Sequence, residues 1–255
     1  MTCDLKGKKG LIAGVANADS IAYGCARACH AAGAELLLAY GHPKAERHVQ
    51  PLLAAIGNPA AVLCDVTDEA QMQALFDRVR AQWGRLDFLV HSIAFAPRED
   101  LHGRLIDCSS AGFHTAMEVS CFSFIRMARL AEPLMSDGGC LLTMSYLGAE
   151  RVVEHYGLMG PVKAALESAV RYLAAELGPQ GVRVHAISPG PLPTRAASGI
   201  AQFDKLMERA AERSAQRRLV SIDEVGAAAA FLASDAARAL SGLTLYVDAG
   251  YQIMG

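Results

Sequence analysis

The chain has 255 residues, with 24 lysines and arginines against 26 aspartates and glutamates, and this balanced charge of −2 argues against a nucleic-acid partner. Hydrophobic residues make up 52% of the chain, enough for a large core, yet no apolar run approaches the roughly 18 to 20 residues that cross a bilayer. The N-terminus lacks the apolar core of a signal peptide and the seven cysteines form no C-x-x-C pair, so we expect a reduced, cytoplasmic protein without a membrane partner.

Strand and helix patterns alternate along the chain. Short apolar segments predict strands buried on both faces of a parallel sheet, at residues 10–13, 35–40, 60–64, 86–90, 140–144, 182–187 and 243–247. Helical patterns separate them at residues 20–32, 43–56, 68–83, 111–135, 156–177 and 221–234, the last opened by a capping box from Ser221 to Glu224. The alternation predicts an α/β fold, a single-domain (residues 1–255) Rossmann-like doubly wound parallel sheet with helices on both faces. Within the first helix, Cys25, Cys29 and His30 are interpreted as packing residues and not as metal ligands.

Tyr156 and Lys163 stand seven residues apart at the start of the fifth helical pattern. Seven residues are almost two turns of α-helix, so the spacing predicts that both side chains point to one face. A phenol and an ammonium on one face can serve as hydrogen-bond donor and electrostatic anchor for a reacting oxygen. The alternative is a half-buried packing tyrosine and a solvated helix lysine.

The turn after the first strand indicates a dinucleotide site. Gly14 lets the backbone approach a ligand, and a helix opened by Ser20 offers free N–H groups to a pyrophosphate. An ordinary loop with a serine N-cap is the alternative. Asp65 and Val66 follow the third strand, where the carboxylate can accept from an adenine amino group or can instead cap a helix. The acidic residue that usually holds the adenosine ribose is absent, because Gly41 follows the second strand.

Six segments spread over the chain carry a family resemblance. They are Gly14-Val15-Ala16 with Ser20 to Gly24, His91 to Pro97, Ser145 to Glu150, Tyr156-x6-Lys163, Pro191 to Ile200, and Val247 to Gly250. Together they resemble the bacterial NADH-dependent enoyl-acyl-carrier-protein reductases, a divergent branch of the short-chain dehydrogenase/reductase family. The resemblance covers essentially the entire chain. It implies reduction of the trans-2 double bond of carrier-protein-linked enoyl chains in type II fatty acid biosynthesis, with NADH as cofactor and NADPH not excluded.

The resemblance also implies residue roles. Tyr156 matches the tyrosine that meets the thioester oxygen, Lys163 the lysine that bonds the nicotinamide ribose, and Tyr146 a second tyrosine near the site. Tyr146 is interpreted as an orienting or proton-relaying residue, with a packing tyrosine as the alternative. The remaining cofactor positions are Gly14, Ser20, Ile21, Gly41, Asp65, Val66, Ile93, Leu192, Thr194 and Ala196. The substrate positions are Ala96, Met159, Ala197, Ile200 and Phe203, with a substrate-binding loop at about 194–209.

The chain departs from the family pattern at four positions. These departures bear on the acyl chain length of the substrate, on inhibitor sensitivity and on cofactor choice more than on the type of reaction. Ala94 stands where glycine is usual, Pro193 replaces a residue that is often basic or polar, Gly157 follows the tyrosine, and Gly41 removes a side chain that often contacts the ribose. A paralogue acting on an enone that is not carrier-bound therefore remains an alternative.

Two further alternatives come from the same fold. A carbonyl reductase of the superfamily calls for Tyr-x3-Lys and a serine thirteen residues before the tyrosine, where this chain has Thr143. A non-catalytic dinucleotide sensor would not need the phenol of Tyr156 or the amine of Lys163, and this chain keeps both. The resemblance also implies a homotetramer that packs the helices at 111–135 and 156–177 against partner subunits.

Overall fold

The sheet is built from strands that span most of the chain. A computed structural model describes residues 3–194 and 202–254, and within them the strands are β1 (Lys9–Ala13), β2 (Glu35–Tyr40), β3 (Ala60–Leu63), β4 (Phe88–His91), β5 (Gly139–Met144), β6 (Val182–Pro189) and β7 (Thr244–Val247). All neighbours are parallel, in the order β3-β2-β1-β4-β5-β6-β7. The order reverses between β1 and β4, which leaves a crevice at the carboxyl ends of these strands. The predicted doubly wound α/β fold is confirmed.

Helices cover both faces of the sheet. Within the described ranges they are α1 (Ile21–Ala31), α2 (Glu46–Val49), α3 (Glu69–Trp83), α4 (Arg98–Leu101), α5 (Ser110–Met117), α6 (Ser123–Ala131), α7 (Met159–Leu177), α8 (Phe203–Arg213) and α9 (Ile222–Ala233). Helices α3, α6 and α7 bury their apolar residues against one face, and α1 and α9 against the other. Cys25 and Cys29 are fully buried in the second of these cores, as predicted. None of the helices in the described residues is long and apolar enough to span a bilayer.

Helices α1 and α9 cross in backbone contact. A Cβ on Gly24 would lie 2.2 Å from the carbonyl oxygen of Ile222, and one on Gly226 would lie 2.3 Å from the oxygen of Gly24. Only glycine fits at this crossing. The predicted capping box at the start of α9 is present, since the Ser221 and Glu224 side chains each bond the other residue's backbone N–H.

Two predicted helices are less regular than their patterns suggest. The segment 43–56 consists of the short helix α2 between 3₁₀ turns at Pro43–Ala45 and Gln50–Ile56. Pro43 and Pro51 lack the N–H that a continuous helix needs, which explains the interruption. The segment 111–135 is divided by π-helical residues Glu118–Phe122 between α5 and α6.

The prediction that a helix begins at Tyr156 is wrong. Helix α7 begins at Met159, and Tyr156 lies in the turn before it. His155 has φ 62° and Gly157 has φ 41°, both in the left-handed region that a right-handed helix excludes. Tyr156 and Lys163 therefore do not share a helix face.

Candidate active site

A cavity of about 210 Å³ opens at the carboxyl ends of β1, β4, β5 and β6. Its walls come from the turn after β1, the segment after β4, the end of β5, the start of α7 and the segment after β6. Twelve of the predicted site residues line it: Gly14, Ser20, Ile21, Ile93, Ala96, Tyr146, Tyr156, Met159, Lys163, Leu192, Thr194 and Phe203. The crevice at the reversal of strand order is where ligands bind in sheets of this type.

Tyr146, Tyr156 and Lys163 meet in this cavity although the helical argument for their proximity fails. All three are buried, with 9%, 7% and 4% of their surfaces exposed. The tyrosine ring centroids are 4.8 Å apart at an interplanar angle of 55°. The Lys163 ammonium donates a hydrogen bond of 2.7 Å to the carbonyl oxygen of Met144 at the end of β5. Tyr156 thus reaches the cavity from the turn before α7, and Lys163 reaches it from the helix itself.

The ring of Tyr156 lies against the backbone of the turn that follows β5. A Cβ on Gly148 would lie 2.3 Å from a ring carbon of Tyr156, closer than any real contact. Glycine at this position therefore makes the space in which the tyrosine ring sits.

Burial adjusts the protonation of these groups. It raises the pKa of both Tyr146 and Tyr156, so each phenol keeps its proton at neutral pH and can act as a donor. Burial lowers the pKa of Lys163 to about 8, a shift that the nearby Cys121 and Glu167 oppose. The phenol oxygen of Tyr146 is buried and has no hydrogen-bond partner among the described residues, which is unusual for a packing tyrosine.

The turn after β1 is shaped for a close-approaching ligand. Gly14 has φ 103°, and a Cβ there would lie 2.1 Å from the backbone oxygen of Ser92. Ser20 precedes α1, but its hydroxyl makes no capping bond and instead donates to the backbone oxygen of Asn17 at 2.7 Å. The first N–H groups of α1 therefore face the crevice without a serine cap, an arrangement that suits a pyrophosphate.

The comparisons with known proteins agree with this geometry. A sequence model of the family described as enoyl-(acyl carrier protein) reductase matches residues 14–252. The chain belongs to this family. An NADH enoyl-[acyl-carrier-protein] reductase of Nostoc sp. is 47% identical over 256 residues, covering 99% of each chain. One from Aquifex aeolicus is 46% identical, covering 98% of this chain and 93% of its own length.

Solved structures of the same family superpose closely on the chain. The Anaplasma phagocytophilum reductase in complex with NAD is 46% identical with a TM-score of 0.94, covering 98% of this chain and 96% of its own. The Bacillus cereus reductase with NADP⁺ and indole naphthyridinone is 43% identical with a TM-score of 0.96, covering 98% of each chain. The predicted membership of the enoyl reductase family is confirmed.

Three predicted cofactor residues of this family member lie at the same edge of the sheet but outside the cavity lining. Gly41 follows β2, and a Cβ there would lie 3.8 Å from the backbone oxygen of Cys64, so the turns after β2 and β3 are adjacent. The Asp65 carboxylate accepts from the backbone N–H and the hydroxyl of Thr67. The helix-cap alternative for Asp65 is wrong, because Asp68 caps α3. Val66, next along the chain, is buried.

On the predicted substrate side, the structure brings Ala96, Met159 and Phe203 to one cavity. Ala196, Ala197 and Ile200 lie outside the described residues. The described end of the predicted loop, from Phe203, belongs to helix α8, where Arg209 forms an ion pair of 2.6 Å with Glu154, two residues before Tyr156. Of the departures from the family pattern, Ala94 lines the cavity, whereas Pro193 is exposed and is not part of its lining.

Several residues near the cavity were not predicted. Ser92, Phe95, Leu101, Met144, Ser145 and the segment from Pro189 to Pro191 also line it. The hydroxyl of Ser120, from the π-helical segment, bonds both the N–H and the carbonyl of Phe95 and so holds that wall in place. Position at the carboxyl end of a parallel strand was the available signal for Met144 and Ser145, while nothing local marked Ser120.

Proposed function

We propose that this protein reduces the trans-2 double bond of enoyl thioesters carried by acyl carrier protein, using NADH, in type II fatty acid biosynthesis. The observation that carries the proposal is the convergence of Tyr146, Tyr156 and Lys163 on one cavity of a family member. The names of eight relatives, each an NADH enoyl-acyl-carrier-protein reductase at 41–47% identity, support the same reaction and cofactor.

Each cofactor position has a proposed task. The N–H groups at Ser20 and Ile21, beside Gly14, bind the pyrophosphate. Lys163 binds the nicotinamide ribose, and Leu192 and Thr194 hold the carboxamide. The adenosine end lies along the adjacent turns, with Asp65 and Val66 at adenine, Gly41 and Ile93 at the ribose positions, and Ala196 beside the cofactor.

The chain's own groups act where charge develops. Bound NADH supplies the hydride that adds to the β-carbon of the thioester. Negative charge then accumulates on the thioester oxygen, where the protonated phenol of Tyr156 donates a hydrogen bond, and a proton that comes ultimately from solvent adds to the α-carbon to complete the reduction. Donors that act on such an oxygen in the transition state are worth a few kcal/mol each. The buried ammonium of Lys163 favours the same charge, and Tyr146 orients the Tyr156 ring against which it packs.

The acyl chain is proposed to lie against Ala96, Met159 and Phe203, with Ala197 and Ile200 completing the loop at 194–209. The whole chain is proposed to act as one cytoplasmic domain assembled into a homotetramer. Exposed aromatic residues on the helices that would meet a partner support this, with Phe122 49% and Tyr172 71% exposed.

The carbonyl-reductase alternative is disfavoured by Thr143. This residue stands where that alternative needs a carbonyl-polarising serine, yet it is fully buried and bonded to the His91 ring at 3.0 Å. It is also not part of the cavity lining.

The test is the loss of NADH absorbance with two substrates, crotonyl-thioester and acetoacetyl-thioester. We expect fast turnover of the first and far slower turnover of the second. Preferential reduction of the 3-oxo substrate would overturn the proposal. Repeating the crotonyl assay with NADPH tests the cofactor, since Gly41 offers no side chain to repel a 2′-phosphate, and a higher kcat/KM for NADPH would reject NADH as the preferred donor.

A further inference from the structure

A buried carboxylate lies next to the catalytic cavity and has no assigned task. Glu167 is 5% exposed and stands four residues after Lys163 on α7, so the two side chains share one helix face. The hydroxyl of Ser145, itself 4% exposed and part of the cavity lining, donates to the Glu167 carboxylate. Burying a carboxylate is costly, and this one is not needed to satisfy a helix end.

Glu167 and Lys163 together hold two consecutive residues of the cavity wall. The ammonium of Lys163 bonds the carbonyl of Met144, and the carboxylate of Glu167 bonds the hydroxyl of Ser145. The next residue is Tyr146, whose ring packs on that of Tyr156. The direction in which the Tyr146 phenol enters the cavity therefore depends on how firmly α7 holds the end of β5.

Glu167 also sets the electrostatic surroundings of the catalytic groups. Its negative charge raises the pKa of Lys163 against the lowering effect of burial, and it raises the pKa of Tyr156. Burial raises the pKa of Glu167 itself, and the bond from Ser145 opposes that. Other titratable, charged or hydroxyl groups that face this cluster are His91 at the end of β4, Cys121 from the π-helical segment, Glu150 from the turn after β5, Arg171 from α7, and Thr244, Tyr246 and Asp248 at the β7 end.

We propose that Glu167 is a positioning residue for the reduction, holding the Met144–Tyr146 segment through Ser145 and balancing the buried charge of Lys163. This inference rests on the proposed function for its kinetic consequences. In this role Glu167 acts through Ser145 and Lys163 and does not contact the substrate.

Two substitutions separate the two tasks. Glu167→Gln keeps an acceptor for Ser145 but removes the charge, so the pH at which kcat/KM for NADH falls on the alkaline side should drop by about one unit. Ser145→Ala removes the hydrogen bond but keeps the charge, so kcat should fall about tenfold with the alkaline limb unmoved. Glu176→Gln, on an exposed position of the same helix, is the matched control and should match the wild type in both.

A second readout does not depend on turnover. In protein labelled with ¹³C at the methionine methyl groups, the Met144 signal should titrate with Lys163, and the midpoint should fall in Glu167→Gln but stay in Glu176→Gln. A wild type that shows this titration but fails to reduce crotonyl-thioester refutes the proposed function and leaves the charge-balancing role of Glu167 standing. An unmoved midpoint in Glu167→Gln, or unchanged kcat in Ser145→Ala, overturns the corresponding half of the inference. If Glu167→Gln does not fold, as judged by thermal unfolding, the kcat of Ser145→Ala decides the positioning half. Glu167→Asp, whose shorter side chain draws the charge back from Lys163, then takes its place for the charge half: its Met144 midpoint should fall, and an unmoved midpoint overturns that half.

Discussion

Gly148→Ala should impair catalysis by displacing Tyr156. The added Cβ would lie 2.3 Å from one ring carbon and 2.6 Å from the next. Carbon atoms in contact stay about 3.5 Å apart, so the ring must retreat by roughly 1 Å. It cannot swing freely, because Tyr156 is only 7% exposed and Tyr146 packs on it with ring centroids 4.8 Å apart.

A misplacement of about 1 Å at a reacting group can lower turnover about a hundredfold. We therefore expect kcat with NADH and crotonyl-thioester to fall by about that factor. Overpacking should also lower the free energy of unfolding by about 1–3 kcal/mol, measured by urea denaturation.

The control is Gly178→Ala, which lies outside the cavity lining and where no atom beyond the two chain neighbours lies within 4 Å of the new Cβ, so kcat should stay at the wild-type level. Because Pro179 follows and disfavours helical backbone at a residue with a Cβ before it, the free energy of unfolding is not part of this control. The reasoning is refuted if Gly148→Ala retains the wild-type kcat, since the ring position would then not matter for the reaction.

Three further outcomes follow from buried groups. Burial lowers the pKa of Lys163 to about 8, so the kcat/KM for NADH should decline as the pH rises above about 8 and the ammonium loses its proton. A profile that stays flat to about pH 10 would exclude Lys163 as the titrating group. Tyr156→Phe should lower kcat by roughly tenfold to thousandfold by removing one donor, and a loss seen only in Tyr146→Phe would mean that the two roles are reversed. Burial lowers the pKa of His91 to about 3 and that of His185 to about 4, so the unfolded state takes up protons before the folded state does. The free energy of unfolding, measured by urea denaturation, should therefore fall as the pH drops below 6.5, the pKa of an unfolded histidine. His91→Asn should make that decline less steep, with the contribution of His185 remaining, and an equally steep decline would assign it to other groups.

Local patterns were sufficient for the framework of the fold. Strands buried on both faces are apolar throughout, and helix starts carry their own caps, as at Ser221, so these elements can be predicted from neighbouring residues. The parallel order places the carboxyl ends of the strands at one edge, which explains why the predicted cofactor residues largely meet there. The family motifs then identified Tyr146, Tyr156 and Lys163 as the candidate catalytic residues.

The geometry of the catalytic groups was decided by contacts between segments far apart in the chain. Tyr156 was predicted to share a helix face with Lys163, yet left-handed backbone on both sides places it in a turn, and its ring position depends on the absence of a side chain at Gly148. No local pattern in the sequence marks Glu167, and only the packing of α7 on β5 buries it against Ser145. Residue spacing reports contacts along one element, whereas burial, pKa and the direction of a hydroxyl depend on which elements the folded sheet brings together.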